Sequence, residues 1–162
     1  MKITVLVGPP CSGKSSFLKR LDYDFAISSD AIVEQLCRHN EIAYHQFFQL
    51  PANHIIRQQH KHLFEAAIEQ SKQYQHVIWD LTNLTRKSRA RIFSYYPSAE
   101  FNAVVFDFVG YEHLLLARNE QRSKLTGKYI DPEVLRAMCQ SYQTVDLNEG
   151  FRHIEHVSIV ND

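Results

Sequence analysis

Near the amino terminus, Gly8-Pro9-Pro10-Cys11-Ser12-Gly13-Lys14-Ser15 fits the spacing G-x-x-x-x-G-K-[ST]. Each residue type in that spacing answers a need of a bound polyphosphate. Glycines let the backbone turn tightly and come close, so that consecutive N–H groups wrap the β-phosphate. A helix starting at Gly13 points its positive end at the same anion. Lys14 reaches the β- and γ-phosphate oxygens, and the Ser15 hydroxyl is placed to ligate Mg²⁺. The alternative is an ordinary glycine turn into a helix. The chain holds only 5 glycines, and two occupy the required positions, which favours the phosphate reading. Gly8, Pro9, Pro10, Cys11, Ser12, Gly13, Lys14, Ser15 and Ser16 are thereby assigned to a nucleoside triphosphate such as ATP. Cys11 stands where oxidation or alkylation would block the phosphate site.

Further polar groups fall where they could complete such a site. Ser28-Ser29-Asp30 ends an apolar run; Asp30 is either a carboxylate that accepts a hydroxyl proton during phosphoryl transfer or a helix cap. Val77-Ile78-Trp79-Asp80 also ends in an acid, followed by Leu81-Thr82-Asn83. Asp80 suits Mg²⁺, directly or through water, with Thr82 and Asn83 facing the same crevice; a strand-end turn is the alternative. Arg118 and Arg122 are four apart, on one face of a helix. They stabilise negative charge on a transferring phosphoryl group, or they belong to a solvated face. The nine histidines include the close pairs His60/His62 and His153/His156, but none has zinc spacing with cysteines or acids.

These residues need a scaffold that brings loop ends together. Apolar runs rich in Val, Ile and Phe predict strands over 3–7, 25–28, 77–80 and 103–108, with a weaker one over 156–160. They do not alternate strictly, as expected of strands buried on both faces. Helical patterns fall between them, over 13–21, 30–38, 53–75, 85–95, 111–121 and 132–142, with Asn53 and Asp131 as N-caps and Pro132 in a first turn. The alternation implies right-handed βαβ units: an α/β fold with a five-stranded parallel sheet in the order 2-3-1-4-5 and helices on both faces. Loop ends at the carboxyl edge of such a sheet form the ligand crevice. Segments 40–52 and 123–130 read as irregular, the second as a short lid.

Composition sets the outer limits. A chain of 162 residues, 44% of them hydrophobic, suits a single domain over 1–162 with a real core. Lys+Arg and Asp+Glu are both 18, a balance that argues against broad, sequence-independent coating of nucleic acid but leaves room for a local pocket that grips one end. Three cysteines with no metal or disulfide spacing suit a reducing cytoplasmic compartment. The stretch before Gly8 is too short for a signal peptide, and no apolar run reaches membrane-span length.

Taken together, four blocks resemble the phage-type 5′-polynucleotide kinases and the kinase domains of bacterial end-healing enzymes, within the adenylate-kinase-like branch of P-loop phosphotransferases. They are the segment 7–16, Ser28-Ser29-Asp30, the segment 77–91, and the segment 105–142 with Leu116-Ala117-Arg118-Asn119-Glu120-Gln121-Arg122 and Ile130-Asp131-Pro132-Glu133-Val134. The resemblance implies ATP-dependent phosphorylation of the 5′-hydroxyl of DNA or RNA. Carried over, Lys14 and Ser15 serve the triphosphate and Mg²⁺, Asp30 is the general base, and Arg122 is the lid arginine. Asp80 and Asn83 match the acid and asparagine beside the acceptor and phosphate sites. Arg118, one turn earlier than Arg122, is expected nearer the nucleoside. The family often has an arginine three residues after the base; here it is Val33, leaving Arg38, Arg57 or Arg86 to meet the acceptor. No phosphatase or ligase module is attached, so end-healing partners would be separate proteins. A small-molecule or nucleoside kinase of the same branch is the second reading, and a non-catalytic nucleotide-binding module the third.

Overall fold

The computed structural model describes residues 1–160. The proposed domain over 1–162 runs two residues past them. Five strands form one parallel sheet in the order β2-β3-β1-β4-β5: β1 Lys2–Val7, β2 Phe25–Ser28, β3 His76–Asp80, β4 Glu100–Asp107 and β5 His153–Ser158. The order and the parallel sense are those the strand–helix alternation predicts.

Both faces of the central strands are buried, which explains their continuous apolar runs. Ile3, Val5 and Val7 of β1 point into one core with Ile27, Trp79, Ala103 and Val105, covered by Ile68 of α4 (Ile55–Ser71) and Ile92 of α5 (Arg86–Tyr95). Leu6, Ile78, Val104 and Phe106 point to the opposite face. Leu115 of α6 (Glu112–Thr126) and Leu135 of α7 (Pro132–Gln140) cover them there. A smaller cluster, with Val33, Leu36, Phe47 and Ile56, joins α2 (Ser29–His39), α3 (Tyr44–Gln49) and α4.

Several boundaries differ from the sequence reading. The segment 40–52 is not irregular throughout: it contains α3, whose Phe47 packs in the smaller cluster. α4 is capped by His54, whose Nδ1 accepts from the Ile56 N–H at 3.2 Å, and not by Asn53. α1 spans only Lys14–Leu18. β4 and β5 begin earlier than their apolar runs, because β5 is a largely exposed edge strand and is held by pairing with β4. The largest boundary correction concerns the segment 123–130. α6 continues through Ser123 to Thr126 and stops at Gly127, which adopts φ 72 as its C-cap. Only Gly127–Asp131 remains between α6 and α7, which starts as expected with Asp131 as N-cap and Pro132 in its first turn.

Candidate active site

β1 delivers the chain to Gly8, where glycine is required by space. A Cβ there would lie 2.6 Å from Ser12 Oγ and 3.0 Å from Phe106 Cβ. Cys11 and Gly13 take positive φ, 67° and 96°, so the loop curls back before α1 begins at Lys14. The Gly8 N–H is anchored to the Thr82 carbonyl at 3.0 Å, fastening the loop to the segment after β3. Lys14 Nζ donates to the carbonyls of Gly8 and Pro9, both at 2.9 Å. Burial depresses its pKa to about 8, Arg122 adds to the depression, and Asp80 foremost opposes it. Burial also raises the Cys11 thiol, against the fields of Arg122, Lys14 and Arg118.

A cavity of about 990 Å³ opens over this loop at the carboxyl edge of the sheet. Pro10, Cys11, Gly13, Lys14, Ser15 and Ser16 line one end, together with Arg118 and Arg122 of α6. Asp30, Val33, Asp80, Leu81 and Thr82 line the middle. Tyr44, His45, Phe48 and Gln49 of α3, with Tyr129, Ile130 and Val134, enclose the far side. Asp30 and Asp80 meet here because β2 and β3 pair with Ser28 opposite Asp80. Gly8, Pro9 and Ser12 shape the loop from behind without lining the cavity.

The two acids lie in different environments. Asp30 does not cap α2; Ser28 does, accepting from the Ala31 N–H at 3.3 Å. Burial works to raise the Asp30 carboxyl, but hydrogen bonds from Lys128 at 2.7 Å and Tyr44 at 2.6 Å outweigh it and hold it below the ordinary range. Burial pushes Asp80 up, opposed mainly by Lys14. Asp80 and Ser15 line the same cavity, and a carboxylate and a hydroxyl are hard oxygen donors of the kind that could hold Mg²⁺. Among the described residues no group of three His, Cys, Asp or Glu could hold a metal by itself.

The arginines divide the work. Arg118 Nη1 donates to the Cys11 carbonyl at 3.3 Å and Nη2 to the Ile159 carbonyl at 2.8 Å. It therefore braces the loop against the end of β5 as well as lining the cavity. Arg122, one turn later, has its Nε and Nη2 buried with no hydrogen-bond partner among the described residues. Ser12 Oγ is likewise buried and unpartnered. Buried donors without partners are rare in proteins, and a guanidinium in that state beside a phosphate loop is a ready anion receptor.

Two expectations need correction. Asn83 does not face the crevice. It is buried at φ 49, and its Nδ2 donates to the Leu6 carbonyl at 2.7 Å, tying the ends of β1 and β3 together. Asparagine tolerates that left-handed backbone, so a structural brace explains its type. Nor do Arg38, Arg57 or Arg86 line the cavity. Arg57 stands 4.8 Å over the Phe47 ring, and Arg86 pairs with Glu149 at 3.9 Å. The sequence reading missed Tyr44, Glu34 and Lys128 around Asp30. It also missed Asn119, whose Nδ2 holds the Ile130 carbonyl at 2.7 Å and anchors the 127–131 segment to α6. Only Gly127, a helix-stop signal, could have hinted that Lys128 turns inward.

Comparison with known proteins agrees with this architecture. A family model described as an AAA domain matches residues 3–145. A comparison with curated proteins finds no match. Among solved structures, a chain of the Pnkp1/Rnl/Hen1 RNA repair complex is similar at TM-score 0.66 and 23% identity, over 86% of this chain and 43% of that one. This chain thus spans less than half the length of that relative. A gluconokinase from Sinorhizobium meliloti 1021 is similar at TM-score 0.56 and 20% identity, over 99% and 84% of the two chains. Kti12 of Chaetomium thermophilum, solved with ADP-AlF3, is similar at TM-score 0.67 and 15% identity, over 99% and 90%. At these identities the likeness is one of fold. Among the described residues no helix is long and apolar enough to cross a membrane. With the family model covering most of its length, over a sheet ordered 2-3-1-4-5, the chain belongs to the AAA-domain family and has the P-loop NTPase fold.

Proposed function

We propose that the chain is an ATP-dependent kinase acting on the 5′-hydroxyl of DNA or RNA. The observation that carries the kinase reading is the convergence, in one cavity, of the Asp30 carboxylate with Lys14 and with Arg122, whose Nε and Nη2 are inaccessible and unpartnered among the described residues. A non-catalytic nucleotide module needs Lys14 and Arg122 for the phosphates but no carboxylate lining the same cavity. The acceptor hydroxyl gives its proton to Asp30 while its oxygen bonds the γ-phosphorus. The bond from that phosphorus to the β–γ bridging oxygen breaks, and its electron pair leaves with ADP. Lys14 and Arg122 meet the charge that grows on the phosphoryl oxygens. Mg²⁺, held through Ser15 and Asp80, supplies charge neutralisation at the triphosphate when bound.

The nucleic-acid acceptor is favoured by the four sequence blocks and by the RNA repair complex among the similar folds. In that setting a phosphatase or ligase would be a fitting partner, and a reducing cytoplasm would suit the free Cys11, Cys37 and Cys139. One observation favours a small-molecule acceptor instead: α3 walls the far side of the cavity with Tyr44, His45 and Phe48. ATP labelled at the γ-phosphate, offered with 5′-hydroxyl oligonucleotides and with polyol or nucleoside acceptors, decides between them. Label in the oligonucleotide supports the proposal; label only in a small molecule replaces it. Asp30→Asn should lower transfer by about 10²–10⁴ with ATP affinity nearly unchanged. A collapse of ATP affinity would make Asp30 a donor-side ligand instead.

A further inference from the structure

Asp30 is more closely held than a base on a helix surface needs to be. Tyr44 Oη, from α3, donates to Oδ1 at 2.6 Å, and Lys128 Nζ, from the segment after α6, donates to Oδ2 at 2.7 Å. Lys128 is itself clasped by Glu34, one turn beyond Asp30 on α2, and stands 5.5 Å over the Tyr44 ring. Its side chain is only 20% exposed. Two elements outside α2, the neighbouring α3 and the segment after α6 that is 98 residues away, thus converge on one carboxylate that has no capping duty. The terminal torsion of an aspartate is broad, so an unsupported carboxylate samples many orientations. Two donors on its two oxygens fix that torsion while leaving each oxygen a free lone pair. Lys128 also neutralises one of the two carboxylates it touches, so the pair carries one net negative charge.

The same contact has a second consequence. Arg122 and Lys128 lie on either side of the C-terminus of α6, and Asn119 pins the following segment to that helix. One structural unit therefore presents a guanidinium to the donor phosphates and an ammonium to the acceptor-side carboxylate. Resting on the reading of Asp30 as the base, we propose that Lys128, anchored by Glu34, and Tyr44 are positioning residues that hold the Asp30 carboxylate in the orientation from which it takes the acceptor's proton.

The test is steady-state transfer from γ-labelled ATP to the acceptor that takes label in the assay above, for Lys128→Met, Lys128→Arg, Asp30→Asn and the double variant Asp30→Asn/Lys128→Met. Lys128→Met should lower kcat on the order of tenfold with the KM for ATP and the melting temperature unchanged, and Lys128→Arg should recover most of the loss. In the Asp30→Asn background, Lys128→Met should cost nothing further, because there is no base left to orient. An unchanged or increased kcat in Lys128→Met overturns the proposal, the increase marking Lys128 as an inhibitory latch. So does an equal, additive loss in both backgrounds. The underlying reading fails separately: if Asp30→Asn keeps near-normal transfer, or no acceptor takes label, base and positioning roles fall together.

Discussion

Arg89 is fully buried and Arg122 half-buried with its Nε and Nη2 inaccessible, and the two guanidinium groups are treated in opposite ways. Arg89 is fully buried on α5, with Nε and Nη2 on the two Glu149 carboxylate oxygens at 2.7 and 2.8 Å. Nη1 donates to the carbonyls of Asn83 and Leu84 at 3.0 and 3.1 Å, and Nη2 also to that of Gln143 at 3.0 Å. All three of its nitrogens have acceptors within the protein. Arg122, in the cavity, leaves Nε and Nη2 without partners among the described residues. A buried cation whose donors are all satisfied is a structural rivet. One left unsatisfied raises the energy of the ligand-free protein and returns that energy when an anion arrives. Arg122 brings such residual demand to the site end of the molecule, and Lys14, although its Nζ has two carbonyl partners, carries a burial penalty that lowers its pKa to about 8.

The largest effect expected from this contrast is at Lys14. Lys14→Met should lower transfer by about 10³-fold or more, since the charge it brings to the phosphates has no substitute. The same variant should be more stable than wild type without nucleotide. Lys14 binds its proton less tightly folded (about 8) than at its ordinary 10.5, so folding is penalised below pH 8 and the penalty fades as pH rises from 8 to 10.5. Denaturant melts of the two proteins should differ by about 1–3 kcal/mol at pH 7 and converge above pH 10. A less stable Lys14→Met at pH 7 would break the argument.

Arg89→Met should act the other way, destabilising by about 3–5 kcal/mol because Glu149 and several carbonyls are left buried and unpaired. The protein that remains folded should transfer phosphate at a near-normal rate; a selective loss of kcat would make Arg89 part of the site. Arg122→Ala should lower kcat by about 10²–10³-fold, raise the KM for ATP little, and leave the melting temperature unchanged or higher. Arg122→Lys should recover only part, since a point charge cannot reproduce a bidentate contact. Equal losses of stability at positions 89 and 122 would erase the distinction. The smallest effect is at Arg118, whose donors are shared with backbone carbonyls: Arg118→Ala should weaken ATP binding several-fold, about 1 kcal/mol, by loosening the Cys11 turn. Nucleotide titration of the variant measures it.

The phosphate loop, the strand order and the presence of Asp30, Asp80 and Arg122 at one edge were legible without coordinates. That information is local: glycine positions, apolar runs and helix starts each act within a few residues, and the handedness of βαβ units does the rest. The segment 123–126 was misread as irregular because Ser123, Lys124 and Thr126 look like a loop, yet they continue the exposed end of α6. Asn83 was misread because only the fold places the Leu6 carbonyl beside it, 77 residues away in the chain. Lys128 on Asp30 and Arg89 on Glu149 bridge 98 and 60 residues, and nothing in either neighbourhood encodes the partner. The chain's own order determined which residues could handle phosphate. Tertiary packing decided which polar groups were left unsatisfied to do so, because a hydrogen bond's partner in a buried site is set by the elements that converge there and not by sequence neighbours.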